Sequence, residues 1–159
     1  MPQPCNVKIS EYPGSSEKAG REDTIDVYEI EHYIHQPIRE EDGMPTGVRV
    51  HSPLRLVAQI DKATPGLVKA LCTGQNLKEI ILDYYRIDPK SRSESKYYSV
   101  TLRKARVVDF RPYMPMSFVP TNEPYRHMVQ YSFTYEEIEW NWLPDSVVEM
   151  DHWRAPGAS

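Results

Sequence analysis

The stretch from Ala58 to Ile87, AQIDKATPGLVKALCTGQNLKEIILDYYRI, constrains the fold most, because the start and the stop of a helix can both be read in it. Thr64 reads as an N-cap, and Pro65 follows at the first helical position, where its missing N–H costs nothing. Leu67, Ala70 and Leu71 then sit at helical spacing, and Gly74 offers a left-handed C-terminal cap. A helix over about 64–74 is too short to be stable alone in water, so its apolar stripe must lie on something. Upstream, Leu54, Leu56, Ala58 and Ile60 alternate with Arg55, Val57 and Gln59. Downstream, Leu77 to Ile87 is apolar and aromatic on both parities, as in a strand covered on both faces. One helix against a β body is the expected frame.

The other segments read as strands and turns. Val7 and Ile9 form a short strand, and the small and charged Ser15 to Asp23 reads as a solvated loop. Ile25 and Val27 share one parity, but Tyr28, Ile30, His32 and Ile34 have the other, the trace of a β-bulge or a bend. Gln36 to Gly47, with two prolines, two glycines and a REED run, is an extended loop long enough to have a job. The polar octet Asp88–Ser95 is a hairpin tip between Leu77–Ile87 and a return strand over Lys96–Arg111. In that return strand Tyr98, Val100 and Leu102 face one way, Ala105 and Val107 the other, and Val108 and Phe110 switch back. Val129, Tyr131, Phe133 and Tyr135 alternate cleanly until Glu136–Glu137, after which Ile138, Trp140 and Trp142 take over. Such a strand serves two sheets or turns a barrel corner. Val147–Val148 pairs back, and Trp153 anchors a frayed tail, Ala155–Ser159.

Reactive chemistry is hard to find. A net charge of -4 argues against a non-specific nucleic-acid binder. The two cysteines, Cys5 and Cys72, make no CxxC pair, which argues against a disulfide framework or structural zinc and suits a reducing cytoplasm. No apolar run approaches membrane-spanning length, and the opening MPQPCNVKISEYPG has no signal-peptide core. His32 and His35, three apart on a strand, face opposite sides, and His51, His127 and His152 stand isolated. Cys72, in the last turn of the helix, reads as a small core residue at the negative end of the dipole. Glu136, Glu137 and Glu139 fit a solvated sheet face better than an acid–base pair. Lys90, Arg92 and Lys96 beside Tyr97 and Tyr98 sketch a basic, aromatic surface, but Glu94 and three serines dilute it, and the tyrosines suit cross-strand pairing. No catalytic residue, cofactor or metal is expected.

Several segments carry a resemblance: REDTIDV at Arg21–Val27, Glu31-His32, TGVRVHSP at Thr46–Pro53, QIDKATPGL at Gln59–Leu67 and KALCTGQNL at Lys69–Leu77. With Tyr84–Ile87 and YEEIEW at Tyr135–Trp140, they resemble Hcp, the tube-protein family of bacterial type VI secretion systems. The likeness runs from about Asn6 to Arg154 and is poorest before Tyr12, with Lys8–Gly20 shortened. It implies a mainly β protein, a compact β-barrel of two sheets with one short flanking α-helix (about 64–74) and the extended loop (about 36–47). It implies one domain over residues 1–159 without a C-terminal toxin extension, and no enzymatic activity. Also implied are a homo-hexameric ring stacked into a tube, and sheath, spike and baseplate partners. Small effector proteins would ride in the lumen, with neither nucleic acid nor membrane insertion involved. Such a protein starts in the bacterial cytoplasm and is then secreted without a signal peptide. Within the loop, Arg39, Glu40, Glu41, Asp42 and Met44 are the expected ring-stacking and subunit contacts. The alternatives are a monomeric β-barrel ligand-binding module with aromatic clusters at its mouth, and a small hydrolase built around Cys72.

Overall fold

Alternation of apolar and polar residues along the chain becomes, in the computed structural model, one long antiparallel ladder; residues 4–124 and 126–154 are described. The strands are β1 (Cys5–Ile9), β2 (Ile25–Glu31), β3 (Ile34–His35), β4 (Val50–His51), β5 (Leu54–Gln59), β6 (Leu77–Ile87), β7 (Glu94–Tyr113), β8 (Met128–Thr134), β9 (Glu137–Trp142) and β10 (Val147–His152). The helix, α1 (Thr64–Thr73), connects β5 to β6. The order β7-β6-β1-β2-β5-β8 returns to β7, closing a six-stranded barrel. Strands β9 and β10 lie outside it as a flap on β7, and β3–β4 forms a separate pair.

The parity slips in the sequence are bulges. The β2–β5 ladder shifts between Val27 and Glu29, and the β7–β8 ladder between Val107 and Asp109. Strand β7 is 20 residues long. One of its edges meets β6; the other meets β9 along Tyr98–Arg103 and then β8 along Arg106–Tyr113. The far edge of β8 pairs with β5 and closes the barrel, whereas the far edge of β9 pairs with β10. The run from Met128 to Trp142 therefore stays in one sheet and turns a corner, passing from the barrel wall into the flap with Tyr135–Glu136 as its kink.

The inward-facing set, Val7, Leu56, Ile80, Leu82, Leu102 and Phe133 among others, is buried and fills the barrel, and Ile138 of the flap packs into the same core. Each such side chain contributes about 1.5–3 kcal/mol by leaving water. Leu67 and Ala70 add the helix to this core, and Gly74 closes it with φ 68° in the left-handed region. The helix lies so close to Tyr12 that a Cβ at Gly66 would fall 2.2 Å from the ring.

Five local expectations are corrected. Ala63, not Thr64, is the N-cap; the Thr64 hydroxyl turns inward and accepts from the Tyr131 hydroxyl at 3.0 Å. Cys72 is exposed on the outer face of α1, and the buried thiol is Cys5, which burial and the nearby Asp83 charge push up to about 12. In β6, Ile80 and Leu82 are buried but Ile81 and Asp83 are half-exposed, so one face is fully covered. The hairpin tip is shorter than the octet, since Glu94 and Ser95 already belong to β7. Finally, Ser15–Asp23 is not simply solvated: Arg21 is buried, with its guanidinium 3.8 Å from the Tyr85 ring centroid and paired with Glu94 and Asn6. Its geometry needs a partner from a distant hairpin, which local composition does not reveal. Tail residues Ala155–Ser159 lie outside the described residues.

Candidate functional site

The extended loop is an ordered arm. Above the β3–β4 pair, Ile38 bridges Pro45, the Thr46 N–H donates to the Pro37 carbonyl at 2.8 Å, and the Arg39 N–H donates to Met44 at 2.9 Å. Gly43 makes the turn with φ 72°, and its N–H donates to the Arg39 carbonyl at 2.8 Å. At the tip Arg39 and Asp42 form an ion pair of 2.7 Å, while Asp42 Oδ1 accepts the Met44 N–H. Glu40 and Glu41 are exposed and have no ion-pair partner among the described residues. Ile38, Met44 and Val48 are 58%, 53% and 59% exposed, so the arm carries apolar side chains that nothing among the described residues covers. All five residues singled out from the sequence, Arg39, Glu40, Glu41, Asp42 and Met44, meet at this tip.

What sequence reasoning missed is how the arm is fastened. Arg49, at its base, donates from Nε to Asp151 Oδ2 at 2.9 Å and from Nη2 to Oδ1 at 2.7 Å. A carboxylate gripped this way only accepts, so His51 Nε2, 2.8 Å from Asp151 Oδ2, must carry its hydrogen. In the neutral tautomer this leaves Nδ1 as acceptor for the Tyr135 hydroxyl at 2.6 Å. The Tyr135 oxygen in turn accepts from His32 Nε2 at 3.0 Å. Trp153 covers both rings, stacked on His51 at 5.8 Å between centroids and edge-on to Tyr135 at 5.0 Å. The relay thus joins the β2–β3 link, β4, the β8–β9 kink and β10, and it pins the arm to the flap.

An Asp–His–hydroxyl series has the order of an acid–base relay, but here its hydroxyl is spent on two imidazoles. Tyr135 is 4% and His51 5% exposed, so a substrate has no approach to the oxygen. Burial and then the Asp151 charge push the Tyr135 hydroxyl well above the usual tyrosine range. The Arg49 hydrogen bond, aided by His51, holds Asp151 well below the usual carboxylate range. For His32, burial and then His51 lower the proton affinity, against a backbone hydrogen bond at Ser52. Both shifts have the same sign for stability. The unfolded chain binds protons more readily than the folded one, at His32 as the pH falls below about 6.5 and at Asp151 below about 4. Urea midpoints are therefore expected to fall in two stages on acidification. His32→Gln is expected to flatten the upper stage; a midpoint that still falls in parallel with the parent would assign that stage elsewhere.

The remaining residues of the sequence reading are not brought together. His35 stacks on Tyr33 at 4.9 Å, away from His32. Cys72 has no hydrogen-bond or ion-pair partner among the described residues, so no base serves it. Glu137 and Glu139 pair with Arg103 at 3.7 and 3.3 Å, and Glu136 with Lys104 at 3.5 Å, as sheet-surface bridges. Tyr84 and Tyr98 form the expected cross-strand pair, 5.4 Å between centroids. No group of three or more His, Cys, Asp or Glu able to hold a metal occurs among the described residues. No helix among them is long and apolar enough to cross a membrane.

A closed barrel, a side flap and an arm pinned between them define a class of β-barrel whose buried polar chemistry is structural. That class has relatives. Residues 7–142 match the family described as "Type VI secretion system effector, Hcp". The "Major exported protein" of Pseudomonas aeruginosa is 33% identical over 145 residues, covering 91% of this chain and 84% of that one. A double mutant of the Hcp1 protein from E. coli EAEC 042 superimposes with a TM-score of 0.82 at 29% identity, covering 97% and 99% of the two chains. The secreted protein Hcp3 of Pseudomonas aeruginosa shares the fold, with a TM-score of 0.74, 23% identity and coverage of 97% and 100%. The chain belongs to the Hcp family of type VI secretion proteins, a secreted family of β-barrels.

Proposed function

We propose that this chain is a structural subunit of the type VI secretion tube. Six copies form a ring, the rings stack, and the assembly is exported from the bacterial cytoplasm with small effectors held in its lumen. It works with sheath, spike and baseplate components, performs no catalysis and needs no cofactor. Its barrel, flap and arm act as a single domain. Arg39, Glu40, Glu41, Asp42 and Met44 make the ring-stacking and subunit contacts.

The observation that carries this reading is the arm: an ordered projection with exposed apolar and charged side chains, held rigid by a buried relay at its base. A rigid projection loses little conformational entropy when it docks. A repeated heterologous contact about an axis makes a ring or a filament. The monomeric binding module has less support, because Leu56, Leu82, Leu102 and Phe133 fill the barrel interior. Replacing Arg39–Gly43 by a Gly/Ser linker is expected to leave rings of about six copies intact while abolishing tubes and secretion. Tubes of normal length from that variant would overturn the stacking role. A parent that stays a single subunit at micromolar concentration would overturn the ring itself.

A further inference from the structure

A second surface on the chain complements the arm tip. Between the β6–β7 tip and the Leu143–Pro144 turn lies an open cleft of about 460 Å³, lined by Arg86, Lys90, Lys96 and Tyr97 among others. The Arg86 guanidinium sits 4.9 Å from the Tyr97 ring centroid and 5.2 Å from that of Trp142. Such stacking holds the cation in place and leaves its N–H edge available to an anion. Lys96 is occupied by Asp83 at 3.3 Å, and Asp88, the carboxylate lining the cleft, accepts the Lys90 backbone N–H at 2.8 Å. Arg86 and Lys90 have no carboxylate partner among the described residues. In a chain of net charge -4 this is a local positive site.

We propose that the cleft receives the arm tip of a second copy of this chain, Glu40 and Glu41 facing Arg86 and Lys90. The charges are complementary: Arg39 is neutralised by Asp42, so the tip offers Glu40 and Glu41 as carboxylates outside ion pairs, while the cleft offers Arg86 and Lys90 against the single carboxylate of Asp88 and keeps a net positive charge. Position matches as well. The arm is pinned to Asp151, opposite Ile138, whereas the cleft adjoins Trp142, opposite Val147, at the other end of the flap. These ends are about 13 Å apart along the strand. Two different patches, one at each end of the flap, make a contact that repeats head to tail. Opposite charges across it set register and partner choice. The inference rests on the stacking reading and adds the receptor to it.

Lys90→Glu, at an exposed position, is expected to leave rings intact and to abolish tubes on a grid, and so is Glu40→Lys/Glu41→Lys. Combining Lys90→Glu and Arg86→Glu with the reversed tip is expected to restore tubes. Rings that stack normally with Lys90→Glu would overturn the proposal while leaving the stacking reading standing; a reversed pair that fails to restore stacking would do the same. A second measurement avoids dependence on tube stability. With Cys72→Ser as background, Glu41→Cys combined with Lys90→Cys is expected to give a disulfide-linked ladder under mild oxidation, which neither single cysteine gives. Absence of that ladder overturns the docking, and a parent that forms rings but never tubes overturns both readings together.

Discussion

Phe133→Ala is expected to lose about 3–5 kcal/mol of folding stability, the range for emptying a buried aromatic site. Phe133 is 1% exposed and stands where the barrel closes, opposite Leu54 on β5 and Val107 on β7, with the Tyr131 ring 6.0 Å away. Three strands meet over that ring, and their backbones are tied into a closed ladder that cannot collapse inward to refill the space. Urea denaturation measures the effect as a lower midpoint with little change in slope. Phe133→Leu, which keeps most of the volume, is expected to cost under about 1.5 kcal/mol. If alanine cost no more than leucine, the interior would be loosely filled, and a binding cavity would return as an explanation.

Tyr135→Phe is the second large effect. It removes one oxygen and leaves the buried His51 Nδ1 and the half-buried His32 Nε2 hydrogen without their partner. Each unsatisfied group costs about 1–3 kcal/mol. The ring itself stays, so its contacts with Trp153 are preserved and the loss reports on the relay alone. Because the relay pins the arm, backbone amides of the arm, such as those of Arg39 and Thr46, are expected to exchange with deuterium faster in the variant. A midpoint within about 0.5 kcal/mol of the parent, the range of an ordinary surface change, would mean that the relay fastens nothing.

These residues show where sequence reasoning works and where it stops. The barrel was legible because pleating imposes a period of two, so every slip in parity had to be a physical event. The slips after Val27 and Val107 are bulges, and the one at Glu136 is the kink between barrel wall and flap. The arm was legible from its Pro and Gly content, although its internal bonds were not. The relay left little local mark, for His32, the Arg49–His51 pair, Tyr135 and Asp151 come from four separate stretches. One trace was there: Arg49 and His51 stand at i, i+2 in the Val48–His51 stretch that reads as extended, a spacing that puts both on one face. Cys72 was misplaced because the stripe through Leu67, Ala70 and Leu71 is narrower than one apolar turn, and position 72 falls just outside it. Arg21 was hidden by its small and charged neighbours, its true environment being Tyr85 and Glu94 from another hairpin.

The 20-residue β7 has a mechanical consequence. Three ladders hold it along its length, so tension applied between its ends loads many hydrogen bonds in shear, and they must fail together. Tension across the strands would instead unzip them one at a time. The subunit is stiffest along the diagonal that β7 traces through the barrel wall. The flap is its weakest member, a two-strand strip riveted beside its junction with the barrel by a carboxylate, an imidazole and a guanidinium.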